Sequence, residues 1–115
     1  EAIEHVAQLF PDLTLILVHG GWPWIVPNCS LALNYRNVYL CPDMYLVNAP
    51  GYRDYIDAAN HFLTKKMTFG SAYPLLAIKD AKEFYLHCGI KEHILPDILY
   101  HNIAQALKLE SISSQ

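Results

Sequence analysis

Residues 14–24 read Thr-Leu-Ile-Leu-Val-His-Gly-Gly-Trp-Pro-Trp, and this segment constrains the fold more than any other. An apolar run without alternation reads as a strand buried on both faces of a parallel sheet. The strand is expected over residues 14–18, which puts His19 at its carboxyl end. In open α/β sheets and in (β/α) barrels, that end is where ligands bind and catalytic side chains project. Gly20 and Gly21 allow the chain to turn sharply there.

The rest of the chain alternates helix and strand patterns. Residues 1–9 place Ala2, Ile3, Val6 and Ala7 on one helical face, with Phe10 following, and Pro11 stops the helix. Pro27 suits the first turn of a helix reaching about Tyr35. The segment Asn37-Val-Tyr-Leu-Cys41 reads as a second strand, followed by a loop from Pro42 to Gly51. Residues 52–64 form an amphipathic helix with Tyr55, Ile56, Ala59 and Phe62 or Leu63 inward. Lys65 and Lys66 fit its negative carboxyl end.

A third, short strand is expected at residues 67–70, leading into the loop Ser71-Ala-Tyr-Pro74. A helix over 77–88 closes on Gly89. Residues 91–95 begin another helix, which Pro96 interrupts, and a last helix runs from 97 to 108 with Ile98, Leu99, Ile103, Ala106 and Leu107 inward. Residues 110–115 read as a frayed polar tail. Alternation of this kind implies parallel pairing through right-handed crossovers.

Composition narrows the context. The chain has 115 residues, 53% of them apolar and 17% charged. That is richer in apolar and poorer in charged residues than an ordinary small domain, so part of its apolar surface should be covered, by a second copy or by a missing N-terminal half. It opens on Glu1 inside a helical pattern without an N-cap, as a processed or engineered product or the remnant of something longer would. Residues 1–115 are read as one domain. The net charge of −3, with no basic run, points away from nucleic acid and from anionic membrane surfaces. Three widely spaced cysteines form neither a CxxC motif nor a disulfide framework, which fits a reducing, cytoplasmic setting. No stretch reads as a signal peptide or a bilayer span.

Among residues that carry chemistry, His19 is the strongest candidate for a catalytic role; the alternative is a histidine at a strand end that merely hydrogen-bonds a loop carbonyl. Trp22 and Trp24 either line a substrate mouth or pack the loop on the sheet. Asp43 and Tyr45 follow the second strand and Tyr73 the third, so all three are pocket candidates. Asp43 is also the one carboxylate in its loop able to stand in as a ligand. His61, His87, His93 and His101 fall on helices without HExxH spacing and read as surface residues. The cysteines read as small buried apolar groups. No P-loop, GxGxxG or GxSxG pattern is present.

In order along the chain stand Phe10-Pro-Asp-Leu13, His19-Gly-Gly21, Trp22-Pro-Trp24, Asn37-Val-Tyr-Leu40, Gly70-Ser-Ala-Tyr-Pro74 and Leu99-Tyr-His-Asn-Ile-Ala104. Together they resemble the C-terminal part of the amidohydrolase-related, metal-dependent hydrolases, a group that includes the carboxymuconate-semialdehyde decarboxylase type. The resemblance implies an α/β fold: a partial (β/α)8 TIM barrel comprising the last three strand–helix units with a C-terminal helix. By that resemblance, His19 matches a histidine that is a metal ligand or an acid/base group, depending on the subgroup. The aspartate that ends the family's eighth strand is replaced by Ala72, which neither ligates a metal nor moves a proton. Gln105 stands where an arginine is common. The first-strand HxH pair has no counterpart. A hydrolytic zinc site needs about three protein ligands, so no metal ligand is assigned in this chain alone. A divalent metal such as zinc, and a small-molecule substrate, are expected only for an assembled barrel. The alternatives are a non-catalytic half-barrel that self-associates and a small flavodoxin-like binding domain.

Overall fold

The computed structural model describes residues 2–109. Helix α1 (Ala2–Leu9) leads into strand β1 (Leu15–Val18), helix α2 (Ile25–Asn34), strand β2 (Val38–Cys41), helix α3 (Tyr52–His61) and helix α4 (Ile78–His87). A 3-10 turn at Glu92–Ile94, a π-helical turn at Asp97–His101 and helix α5 (Asn102–Ala106) complete it. The tail expected over 110–115 lies outside the described residues.

Strands β1 and β2 are parallel, with Leu15 opposite Val38 and Val18 opposite Cys41. β2 lies at the centre of the core and all its residues are buried. Around it pack Tyr55, Ile56 and Leu63, together with Tyr85, Ile94 and Ile98. The expected inward face of α3 is therefore correct, with Leu63 rather than the exposed Phe62 completing it.

The expectation that β1 is buried on both faces does not hold. Leu15 to Leu17 are half-buried and Val18 is 62% exposed. β1 pairs with β2 along one edge only, and among the described residues no strand covers the other. The apolar run carries the composition of a sheet interior, while this chain places it at an edge.

The third strand contracts to one parallel bridge between Leu40 and Met67. The Leu40 N–H donates to Lys66 at 3.0 Å and the Thr68 N–H donates to Leu40 at 2.8 Å. The next rung of a parallel ladder would need an N–H at position 42, and Pro42 has none. The lysines also serve differently from expectation, because α3 ends at His61. Lys65 pairs with Asp97 at 2.8 Å. Lys66 Nζ donates to the Ala32 and Tyr35 carbonyls at 2.8 and 2.9 Å, capping the end of α2. Its burial pushes its pKa down.

Pro96 does not interrupt the last helix, since it falls in the first turn, where a missing N–H is harmless. Of the residues expected inward there, Ile98 and Ala106 are buried, whereas Leu107 is exposed. α1 buries only Ala7 and leaves Phe10 exposed. Polar groups fasten it and the turn that follows it. Asn37 Nδ2 donates to the Phe10 and Leu13 carbonyls at 3.2 and 2.9 Å, and also reaches the Ala7 carbonyl at 3.4 Å. The Tyr35 hydroxyl donates to Glu4 at 2.7 Å and accepts from Gln8 at 2.8 Å.

Candidate functional site

His19 follows β1 directly and opens a tight turn, His19–Gly21, in which all three residues have positive φ (58°, 60° and 69°). Glycine adopts that conformation freely, but a histidine there is strained. The glycines are also required sterically. A Cβ on Gly20 would meet the Tyr55 hydroxyl at 2.5 Å, and one on Gly21 would overlap the Asn28 side chain. The Tyr55 hydroxyl, fully buried, donates to the Gly20 carbonyl at 3.2 Å and so fastens the turn to α3. Burial pushes that hydroxyl's pKa well up.

Asp43 stands one residue beyond the equivalent position on the neighbouring strand. It follows Pro42 at the end of β2, has φ 44° and is buried. One carboxylate oxygen accepts the His19 backbone N–H at 2.8 Å. The other accepts the Met44 N–H at 2.6 Å. The His19 ring lies alongside, with Nδ1 3.0 Å from both oxygens. Asp43 is itself pinned: the buried Tyr85 hydroxyl donates to its carbonyl at 3.2 Å. A Cβ on Gly70 would stand 2.7 Å from Cys41 Sγ and 3.2 Å from Asp43 Cβ, so only glycine lets the third segment pass this close.

Two aromatic side chains complete the cluster. Tyr45 meets the His19 ring edge-on at 5.1 Å, and Trp22 stacks on Tyr45 at 4.9 Å. Trp22 Nε1 donates to the Pro50 carbonyl at 2.9 Å, tying the loop after β1 to the loop after β2. The His19 side chain remains 48% exposed. Its Nε2 makes no hydrogen bond among the described residues.

The structure thus brings together His19, Trp22, Asp43 and Tyr45. Trp24 stands apart: it is 68% exposed and lines a cleft of about 600 Å³ between α1 and α2, with Ile3, Glu4 and Pro27. Tyr73 is 70% exposed in the loop after the third segment. Ala72 also has positive φ (60°). His61, His87, His93 and His101 are exposed on or beside helices, as expected. Cys29 and Cys41 are buried, and burial raises both thiols, Cys29 to about 11, which leaves little thiolate for nucleophilic chemistry. Sequence reasoning did not foresee Tyr55 and Tyr85 as supports of the site. A tyrosine on the inward face of a helix beside strand ends is the available signal, because its buried hydroxyl needs a partner.

Among the described residues, no three His, Cys, Asp or Glu side chains converge as a metal site. His19 and Asp43 bond each other, and Ala72 offers no donor. The donor set of this chain by itself does not fit a divalent metal held by about three protein ligands. No helix among the described residues is long and apolar enough to cross a membrane.

The amidohydrolase family model matches residues 1–109. Among solved structures, the chain is similar to an uncharacterised TIM-barrel protein from Bordetella bronchiseptica, at 43% identity and a TM-score of 0.85. That match covers 92% of this chain and 38% of the other, so the chain spans under half the length of its structural relative. No curated protein matches the chain significantly. The fold is that of part of a (β/α)8 barrel, with the site at the carboxyl ends of its parallel strands. The chain belongs to the amidohydrolase family.

Proposed function

We propose that the chain contributes the proton-handling side of an amidohydrolase-type active site, and that His19 is its acid/base group. The observation that carries this reading is the placement of His19: a half-exposed imidazole directly after a parallel strand, on a backbone held left-handed against Tyr55. A strained residue at the catalytic face of a barrel is where function is expected. The substrate class is a small carboxylated molecule. The reaction is hydrolysis, or nonoxidative decarboxylation of the carboxymuconate-semialdehyde type. In the decarboxylation, the bond to the carboxylate breaks, carbon dioxide leaves, and the electron pair left on carbon takes a proton that His19 delivers. Trp22 and Tyr45 form one wall of the mouth, and the remaining strand–helix units of the barrel complete it. Alone, the chain is inactive in hydrolysis.

The test is a barrel that joins residues 1–115 to the remaining strand–helix units of the Bordetella relative. Carbon dioxide release from unsaturated carboxylic acids and hydrolysis of esters and lactones are followed. His19→Ala should reduce the active reaction by roughly 10²–10⁴-fold, the usual weight of general acid–base catalysis. Full activity in that variant, or an inert barrel that stays inert with Ala72→Asp while binding metal normally, overturns the reading.

The open edge of β1 favours a second reading, a half-barrel that pairs with itself. Val18, Leu13 and Phe10 are exposed along or beside that edge. Native mass spectrometry over a concentration series decides it: a monomer at all concentrations removes this reading.

A further inference from the structure

We infer that Asp43 is a positioning residue for His19, one that selects which ring nitrogen carries the proton and leaves Nε2 bare to meet substrate. This rests on the acid/base reading of His19, but its geometry stands independently. The Asp43 carboxylate accepts the N–H of His19 and the N–H of Met44, and the His19 ring presents Nδ1 to it at 3.0 Å. A carboxylate in that setting only accepts, so the ring nitrogen facing it must be the protonated one. The neutral ring is then the Nδ1–H tautomer, with the lone pair on Nε2. When Nε2 takes a proton, the same carboxylate faces the resulting imidazolium and holds it.

The surroundings show how much of the fold serves this one contact. Asp43 keeps a left-handed φ of 44° while buried. Tyr85 reaches in from α4 to bond its carbonyl at 3.2 Å. Gly70 gives up a side chain that would crowd both Asp43 and Cys41. His19 bears a matching left-handed φ of 58° on the adjacent strand. Strain at two neighbouring strand ends, relieved by neither chain turn, persists only where the surroundings impose it. The Tyr45 ring, edge-on to His19 at 5.1 Å, restricts rotation of the imidazole away from the carboxylate. With Ala72 at the end of the third segment, Asp43 is the acid that this chain keeps against its histidine.

The test is nitrogen NMR of the full chain labelled at histidine, at a pH where the His19 ring is neutral. The wild type should show an excess of the Nδ1–H form. Asp43→Ala removes the acceptor, and the ratio should reverse in favour of Nε2–H, a swing of about tenfold or more given the strength of hydrogen bonds to charged groups. Methyl spectra report whether the variant keeps its fold. A wild-type ring already dominated by Nε2–H overturns the inference, whether or not the variant folds. So does a folded Asp43→Ala chain that retains Nδ1–H. Because this readout needs no turnover, the positioning role and the catalytic reading fail separately.

Discussion

The side-chain amide of Asn102 donates to the carbonyl of Met67 at 2.7 Å and, with its other hydrogen, to that of Thr64 at 2.7 Å. The residue is almost completely buried and ties α5 to the loop that carries the third segment past β2. Asn102→Ala leaves two carbonyls without their donor, and buried orphaned groups cost about 1–3 kcal/mol. Urea unfolding should show a loss of that size. A change under about 0.5 kcal/mol would mean that the last helix is not anchored this way.

The two strands should respond oppositely to charge. Val18→Lys places an ammonium at an exposed edge position, and should leave stability within about 0.5 kcal/mol while reducing any self-association. Val38→Asp puts a carboxylate where no solvent reaches, and should leave the chain unfolded at 25 °C. Circular dichroism of the pair tests both, and equal effects would contradict the observed placement of β1 at an edge.

Backbone conformation yields a stabilising substitution at an unexpected place. Ala72 sits at φ 60°, a region that costs an L-residue roughly 1–2 kcal/mol. Ala72→Gly should therefore raise stability by about 1 kcal/mol, less the extra freedom glycine gains when unfolded. Gly21→Ala should do the reverse, by about 1–3 kcal/mol, since its new methyl would overlap Asn28 and force overpacking. Thermal unfolding should shift in opposite directions for the two variants.

Alkaline pH should weaken the fold from about pH 9 upward. Burial first, and the nearby Asp54 second, raise Cys29 from 9.0 to about 11. Below pH 9 the thiol is protonated in both states and stability is unaffected. Between pH 9 and about 11 the unfolded chain releases a proton that the folded chain keeps, so stability falls with rising pH. Tyr55 and Tyr85, also raised by burial, act in the same direction at higher pH. Cys41 and Cys88, also raised by burial, add to the decline above pH 9, so Cys29→Ala should make it shallower without abolishing it. An unchanged slope would assign it to other groups.

The turn at residues 19–21 and β1 were legible because an apolar run closed by two glycines admits few other structures, and β2 because its short apolar run stops at Pro42. The exposure of β1 was not, since hydrophobic patterning reports what a strand is suited to and not which neighbours this chain supplies. The third strand shrank for a reason visible only once register is known: Pro42 falls where the next N–H is needed. The place of His19 directly after the strand was legible, which made it a candidate. Its pairing with Asp43 was not, because that contact depends on parallel register and on two left-handed residues that no composition rule anticipates.

The polar attachment of α1 has a consequence for how the molecule opens. The helix buries only Ala7 and is fixed by the Asn37 amide and by the Glu4–Tyr35–Gln8 bonds. Such contacts yield at lower free energy than a packed apolar face, so α1 is expected to open before the rest of the fold, as hydrogen exchange would report. Its amides should exchange well before those of β2, and this early opening would uncover the flank of β1 while the His19 turn, fastened from the other side by Tyr55, stays closed.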